Sequence, residues 1–85
     1  MEEQHENIFD RLVYSCIFEK HRGHEEFIPE HILGFQLSGE THAFHADGNT
    51  IISENTIVLV KKNQLVRTIK YPSKSGKYQF LSIIL

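Results

Sequence analysis

Two histidines, three positions apart, are the residues of this 85-residue sequence whose types and spacing first suggest chemistry. His42 and His45 lie in the stretch SGETHAFHADG, with Glu40 before them and Asp47 after them. Imidazole nitrogens and carboxylates are common ligands of zinc and other transition metals. The stretch therefore raises the hypothesis of a metal site made of Glu40, His42 and Asp47.

Strand geometry disfavours that site. An odd spacing sends the side chains of His42 and His45 to opposite faces of a strand, whereas Glu40, His42 and Phe44 share one face. All six histidines lie at or before position 45, so the second half of the chain supplies none to complete a ligand set. We expect these residues to be polar strand positions with no metal and no cofactor, and keep the metal site as the weaker alternative.

The elements that must position these side chains are strands. Alternation with period two recurs along the chain, from RLVYSCIFEK near the start to YQFLSIIL at the end. Turn signals separate the alternating runs, among them SGE, the Asp-Gly pair of DGN, and Asn63. Seven or eight short strands spaced in this way predict an antiparallel sandwich or barrel. Gly34 inside a strand predicts a bulge or a close approach, and residues 2–12 could form a short helix before the first strand.

Composition narrows the classes of function. The length predicts one domain over residues 1–85, and no run approaches the ~18 apolar residues that a membrane helix needs. The acidic amino terminus lacks the pattern of a signal peptide, so we expect a cytoplasmic protein without membrane partners. The net charge of −2 argues against a nucleic-acid surface. The lone Cys16 is expected to be a small buried residue, and no catalytic motif such as GxSxG or GxGxxG occurs, so we expect no enzyme.

Four short blocks resemble a known family. They are LSGE at 37–40, KKNQL at 61–65, KYP at 70–72 and LSI at 81–83. In their order and spacing, within residues 30–85, they resemble the amino-terminal regulatory domain of AraC-type bacterial transcription regulators. The resemblance implies an all-β, cupin-like antiparallel barrel or jelly roll that binds a small effector and forms homodimers.

In that family, DNA is bound by a separate carboxy-terminal pair of helix-turn-helix motifs, for which this chain has no residues. We therefore expect the chain to be part of a longer regulator, with DNA contacted only through the missing domain. If an effector enters the barrel, the expected lining is Tyr14, His42, Phe44 and Tyr78. The sequence also departs from metal-binding cupins, since no later histidine follows. Two alternatives stay open, a small stand-alone metal cupin enzyme and a ligand-free β interaction domain.

Overall fold

The chain folds into two antiparallel β-sheets in a computed structural model that describes residues 4–9 and 11–85. Within these residues there are ten strands. They are β1 (Gln4–Phe9), β2 (Leu12–Ile17), β3 (His21–Arg22), β4 (Glu26–Ile28), β5 (Ile32–Ser38), β6 (Glu40–His45), β7 (Gly48–Ile52), β8 (Thr56–Val60), β9 (Gln64–Tyr71) and β10 (Tyr78–Ile84).

In both sheets most neighbouring strands are far apart in the sequence. Sheet A has the order β1-β2-β10-β5-β8, and sheet B has the order β3-β9-β6-β7, with β4 also pairing with β9. Every pairing is antiparallel. The last strand, β10, lies between β2 and β5, so the two ends of the described chain are held in one sheet.

The inner faces of the sheets form the core, as period-two alternation requires. On β2, Ser15 and Ile17 are buried while their neighbours are more exposed. On sheet B, Thr41 of β6 and Val66 of β9 are buried in the same way. Tyr78 of β10 is only 1% exposed and lies where the sheets meet. The shared interior formed by these side chains is where a ligand could be held.

Gly34 confirms the predicted close approach. A Cβ at this position would lie 2.3 Å from Cζ of Phe80 and 3.2 Å from Cγ1 of Val58. The Phe80 ring on β10 therefore packs directly against the backbone of β5. Gly39, between β5 and β6, has a φ of 80°, which favours glycine at the turn.

The structure confirms the all-β architecture and corrects two details. The short helix proposed over residues 2–12 is wrong, because Gln4–Phe9 is a strand whose backbone pairs with β2; residues 2, 3 and 10 lie outside the described residues. Ten strands form in the described part of the chain where seven or eight were predicted, because residues 21–30, whose glycine, proline and charged residues favour a loop or a strand entry, contribute the short strands β3 and β4, which pair with β9.

The Asp-Gly hairpin is confirmed, since His45 pairs with Gly48 across the turn between β6 and β7. Across the described residues, helices with the length and apolar character to cross a membrane are not found. The cytoplasmic location stays a prediction.

Candidate ligand-binding cavity

A cavity of about 500 Å³ lies between the two sheets. Residues on both inner faces line it, and three consecutive residues of β8, 58–60, border it along the edge of sheet A. Its volume falls in the range of about 300–1,000 Å³ that is usual for small-molecule sites. A second depression, of about 690 Å³, lies at the turn around Gly39 and at residues 71–75, and is open to solvent rather than enclosed by the sheets.

The two walls of the cavity differ in chemistry. The wall from sheet A is mainly apolar, with hydroxyls at Ser15, Tyr78 and Ser82; its apolar residues are Val13, Ile32, Val58, Leu59, Val60 and Phe80. The wall from sheet B carries most of the polar groups, namely Thr41, Thr50, Gln64, Thr68 and Lys70, beside the apolar Ala43, Ile52 and Val66. A molecule held here would meet mainly hydrocarbon on one side and most of the hydrogen-bonding groups on the other.

A buried hydrogen-bond network closes the inner end of the cavity and joins the sheets. Thr41 Oγ1 lies 2.6 Å from Gln36 Oε1 and 2.6 Å from the Tyr78 hydroxyl. An amide oxygen only accepts, so the Thr41 hydroxyl donates to Gln36 and the Tyr78 hydroxyl donates to Thr41. The amide nitrogen of Gln36 donates to the carbonyls of Ser38 and Gln79, at 2.9 and 3.4 Å.

Lys70 extends this network toward the cavity. Its backbone pairs with Thr41, and its ammonium nitrogen lies 5.6 Å from the centre of the Tyr78 ring. Among the described residues, every buried side-chain nitrogen and oxygen has a hydrogen-bond partner. The inner end is thus a preorganised polar surface, of the kind that fixes the orientation of a ligand.

Charged and titratable side chains surround the opposite end, which is open to solvent. His24, Glu26 and Asp47 are exposed there, and Lys61 also borders the opening. His45 Nε2 lies 3.1 Å from Oγ1 of Thr50 on the adjoining strand. The cavity therefore changes from charged at its mouth to neutral and buried at its inner end, apart from Lys70.

Of the four residues predicted to line the barrel, the structure places only Tyr78 at this cavity. His42 lies on the outer face of sheet B, with its ring 4.5 Å from that of Tyr71, and Phe44 lies beside Arg67 on the same face. Tyr14 lies on the outer face of sheet A and accepts a hydrogen bond of 2.6 Å from Gln79. Alternation correctly grouped His42 with Phe44 but did not tell which face turns inward. A ligand-binding role for the four residues stays a prediction.

The alternative metal ligands are not brought together. Glu40 and His42 form a hydrogen bond of 3.1 Å on the outer face of sheet B, whereas Asp47 borders the cavity mouth. The predicted separation of His42 from His45 is confirmed, because His45 borders the cavity. In residues 11–85, whose side chains the structure describes, no three His, Cys, Asp or Glu residues are grouped closely enough to hold a metal.

Sequence reasoning missed the polar wall of sheet B. Its signal was present in LVRTIKY, where Thr68 and Lys70 alternate in phase with Val66 and out of phase with Arg67. Lys70 shares the inward face with the buried Val66, and this alternation distinguishes it from Arg67.

Solved structures of other proteins share this fold. A cupin superfamily protein from Desulfitobacterium hafniense is 19% identical, with a TM-score of 0.70 over 99% of this chain and 75% of that one. An RmlC-like cupin from Shewanella frigidimarina is 9% identical, with a TM-score of 0.67 over 98% of this chain and 83% of that one. The iron(II) form of HppE is 9% identical, with a TM-score of 0.66 over 87% of this chain.

The chain spans only 41% of the HppE chain and 55% of another similar structure, from Salmonella typhimurium. No protein-family model and no curated protein matches the sequence. The structural likenesses concern the architecture of the sheets, and they show that this chain has a cupin-like β fold.

Proposed function

We propose that this chain is a non-catalytic sensor domain that binds a small organic molecule between its two sheets. The observation that carries the proposal is the cavity of about 500 Å³ with one apolar and one polar wall. The ligand is a small molecule with an apolar side and with hydroxyl or carboxylate groups along one edge. Thr68 and Lys70 offer a hydroxyl and an ammonium group to that edge, and Phe80 packs against its apolar side.

The proposal includes a regulatory role, with this chain as the effector-sensing and dimerising part of an AraC-type transcription regulator. Its support is the order and spacing of the LSGE, KKNQL, KYP and LSI blocks. In the structure the first of these blocks spans the turn between β5 and β6, and the third includes Lys70 of the polar wall. Ligand binding would thereby act on strands that belong to both sheets.

A thermal-shift screen of sugars, hydroxy acids and other small metabolites tests ligand binding, followed by calorimetry on each hit. Thr68→Val removes one hydroxyl from the polar wall at nearly constant volume and should weaken binding about 5–10-fold, as expected for the loss of about 1 kcal/mol of hydrogen bonding. Thr56→Val, at an exposed site that does not line the cavity, is the matched control and should leave affinity unchanged. A screen without a hit, or hits insensitive to Thr68→Val, would contradict the proposal.

The regulatory role needs a separate experiment on the protein as its own gene encodes it. Sheared genomic DNA is incubated with that protein, with and without the ligand found in the screen, and retained fragments are sequenced. Enrichment of defined sites that changes with ligand would support a regulator. Ligand binding without any site-specific DNA retention would overturn the regulatory role and leave the sensor proposal standing.

A further inference from the structure

Four adjacent strands of sheet A contain no charged residue. These strands, β2, β10, β5 and β8, have the sequences LVYSCI, YQFLSII, ILGFQLS and TIVLV, without a single Asp, Glu, Lys or Arg. An antiparallel sheet with one face toward water normally alternates apolar residues with polar ones. Here both faces of the four strands are predominantly apolar.

The apolar side chains of this outer face stand in two rows across the strands. One row is formed by residues that pair in register, Ile57, Phe35, Leu81 and Tyr14. The other row is formed in the same way by Leu59, Leu33, Ile83 and Leu12. We refer to these eight residues as the apolar face.

The apolar face is accessible to solvent. Ile57 is 64% exposed and Leu59 is 53% exposed, and Ile83, on the central strand β10, is still 40% exposed. An exposed, contiguous apolar surface of this kind marks an interaction site more often than isolated apolar residues do. Its regular rows suit another sheet surface better than a small ligand.

We propose that a second copy of this chain packs on the apolar face, in a two-fold symmetric dimer with the two A sheets face to face. Such a contact is self-complementary, because each row meets apolar residues of the partner's rows. The absence of charge favours this occupant, since two copies meet there without like-charge repulsion although each has a net charge of −2. A charged partner would find no complementary charge on these strands.

The size of the face sets the strength of the dimer. Four strands spaced ~4.8 Å apart and five residues at ~3.3 Å each give a flat footprint of about 19 by 17 Å. A standard interface buries ~800 Å² of accessible surface from each partner, and this footprint of about 320 Å² lies well below that value. The dimer should accordingly be weak and reversible, with a population that rises with protein concentration.

The charged residues at one end of the apolar face are paired with each other. Arg11 and Glu30, which precede β2 and β5, form an ion pair of 2.7 Å, and the same guanidinium donates to the carbonyls of Ile84 and Leu85. This pair leaves neither the Arg11 nor the Glu30 charge unpaired at that end. It also gives the two-fold contact a polar rim.

Sedimentation equilibrium of the whole chain over a wide range of concentration tests the proposal. The weight-average mass should rise from 9.9 kDa toward twice that value as concentration increases. Ile83→Lys places a charge on the central strand of the apolar face and should keep the protein at 9.9 kDa. Ile51→Lys, at a position 56% exposed on the outer face of sheet B, is the matched control and should dimerise as the original chain does.

Further variants identify the surface and guard against misfolding. Circular dichroism and thermal melting establish whether each variant is folded. If Ile83→Lys does not fold, Ile57→Lys places a charge at a second position of the apolar face. The proposal is overturned if the original chain stays at 9.9 kDa throughout or forms open-ended aggregates. It is also overturned if Ile51→Lys abolishes the dimer, or if only Ile57→Lys does so, which would indicate pairing through the edge strand β8.

Discussion

The outer faces of the two sheets follow the same alternation but are covered differently. On sheet B two half-buried rings lie beside cations, with the Arg67 guanidinium 5.5 Å from the centre of the Phe44 ring and the Lys20 ammonium 5.2 Å from the centre of the Tyr71 ring. On sheet A the eight residues of the apolar face are aliphatic or aromatic and carry no charge. Alternation along a strand thus identifies which residues share a face. The residues on neighbouring strands decide whether charged groups cover the apolar side chains of that face.

The largest effect is expected at Gly34, where sheet A has no room for a side chain. Gly34→Ala would push a Cβ to within 2.3 Å of the Phe80 ring and should lower the free energy of unfolding by about 3 kcal/mol. On the inner face of sheet B, by contrast, the small residue Ala43 borders the cavity, so its Cβ has room there. Urea denaturation measures the loss.

Two variants separate this clash from a general intolerance of substitution. Phe80→Leu shortens the side chain that the new Cβ meets, and should restore part of the stability when combined with Gly34→Ala. Gly76→Ala tests backbone strain alone, since Gly76 has a φ of 87° and open space around it, and should cost about 1 kcal/mol. Equal losses at Gly34 and Gly76, or no rescue by Phe80→Leu, would contradict the packing argument.

The next effect concerns the network that links the sheets. Thr41→Val keeps the side-chain shape but removes the donor to Gln36 Oε1 and the acceptor of the Tyr78 hydroxyl. It should lower the free energy of unfolding, measured by chemical denaturation, by about 2 kcal/mol. Thr50→Val, at an exposed cavity residue, should cost less than about 0.5 kcal/mol.

A double-variant cycle tests whether the network acts as a unit. Tyr78→Phe removes the hydroxyl that Thr41 accepts from, so its cost should add only partly to that of Thr41→Val. Fully additive losses would indicate that the two hydroxyls stabilise the fold independently. The sheets would then be held together mainly by apolar contact.

These contacts show what the sequence could reveal. Alternation and turn residues predict most of the strands, the hairpin at Asp47 and the close approach at Gly34, because these follow from local backbone geometry. The cavity was less accessible to prediction, because Tyr14 and Tyr78 have the same residue type and only the pairing of β10 with β2 and β5 turns one outward and the other inward. Long-range pairing of this kind has no local signal. The short strands β3 and β4 were missed for the same reason, since they exist as partners of β9.

A smaller effect is expected from removing the Arg67 guanidinium, which lies over the Phe44 ring on the outer face of sheet B. Arg67→Gln takes the guanidinium away from Phe44 and should lower stability by about 0.5 kcal/mol, the magnitude of an exposed cation–π contact. It should also increase self-association, because the outer face of sheet B would become more like the apolar face. Sedimentation equilibrium measures this increase, and Arg67→Lys, which keeps a cation, should show little of it. An unchanged mass distribution in Arg67→Gln would mean that the cation does not account for the difference between the faces.

The smallest effect is expected from Glu30, at the end of sheet A. Its carboxylate and the Arg11 guanidinium are each about half exposed, so water and salt screen their attraction. Glu30→Gln should therefore change the free energy of unfolding by less than about 0.5 kcal/mol, with the difference shrinking further as salt is added. Because the apolar rows lie on the strands themselves, the same variant should leave the concentration dependence of the dimer unaltered. A dimer that is lost in Glu30→Gln, and lost from the original chain at high salt, would indicate that charge at the rim holds the copies together and that the apolar rows do not.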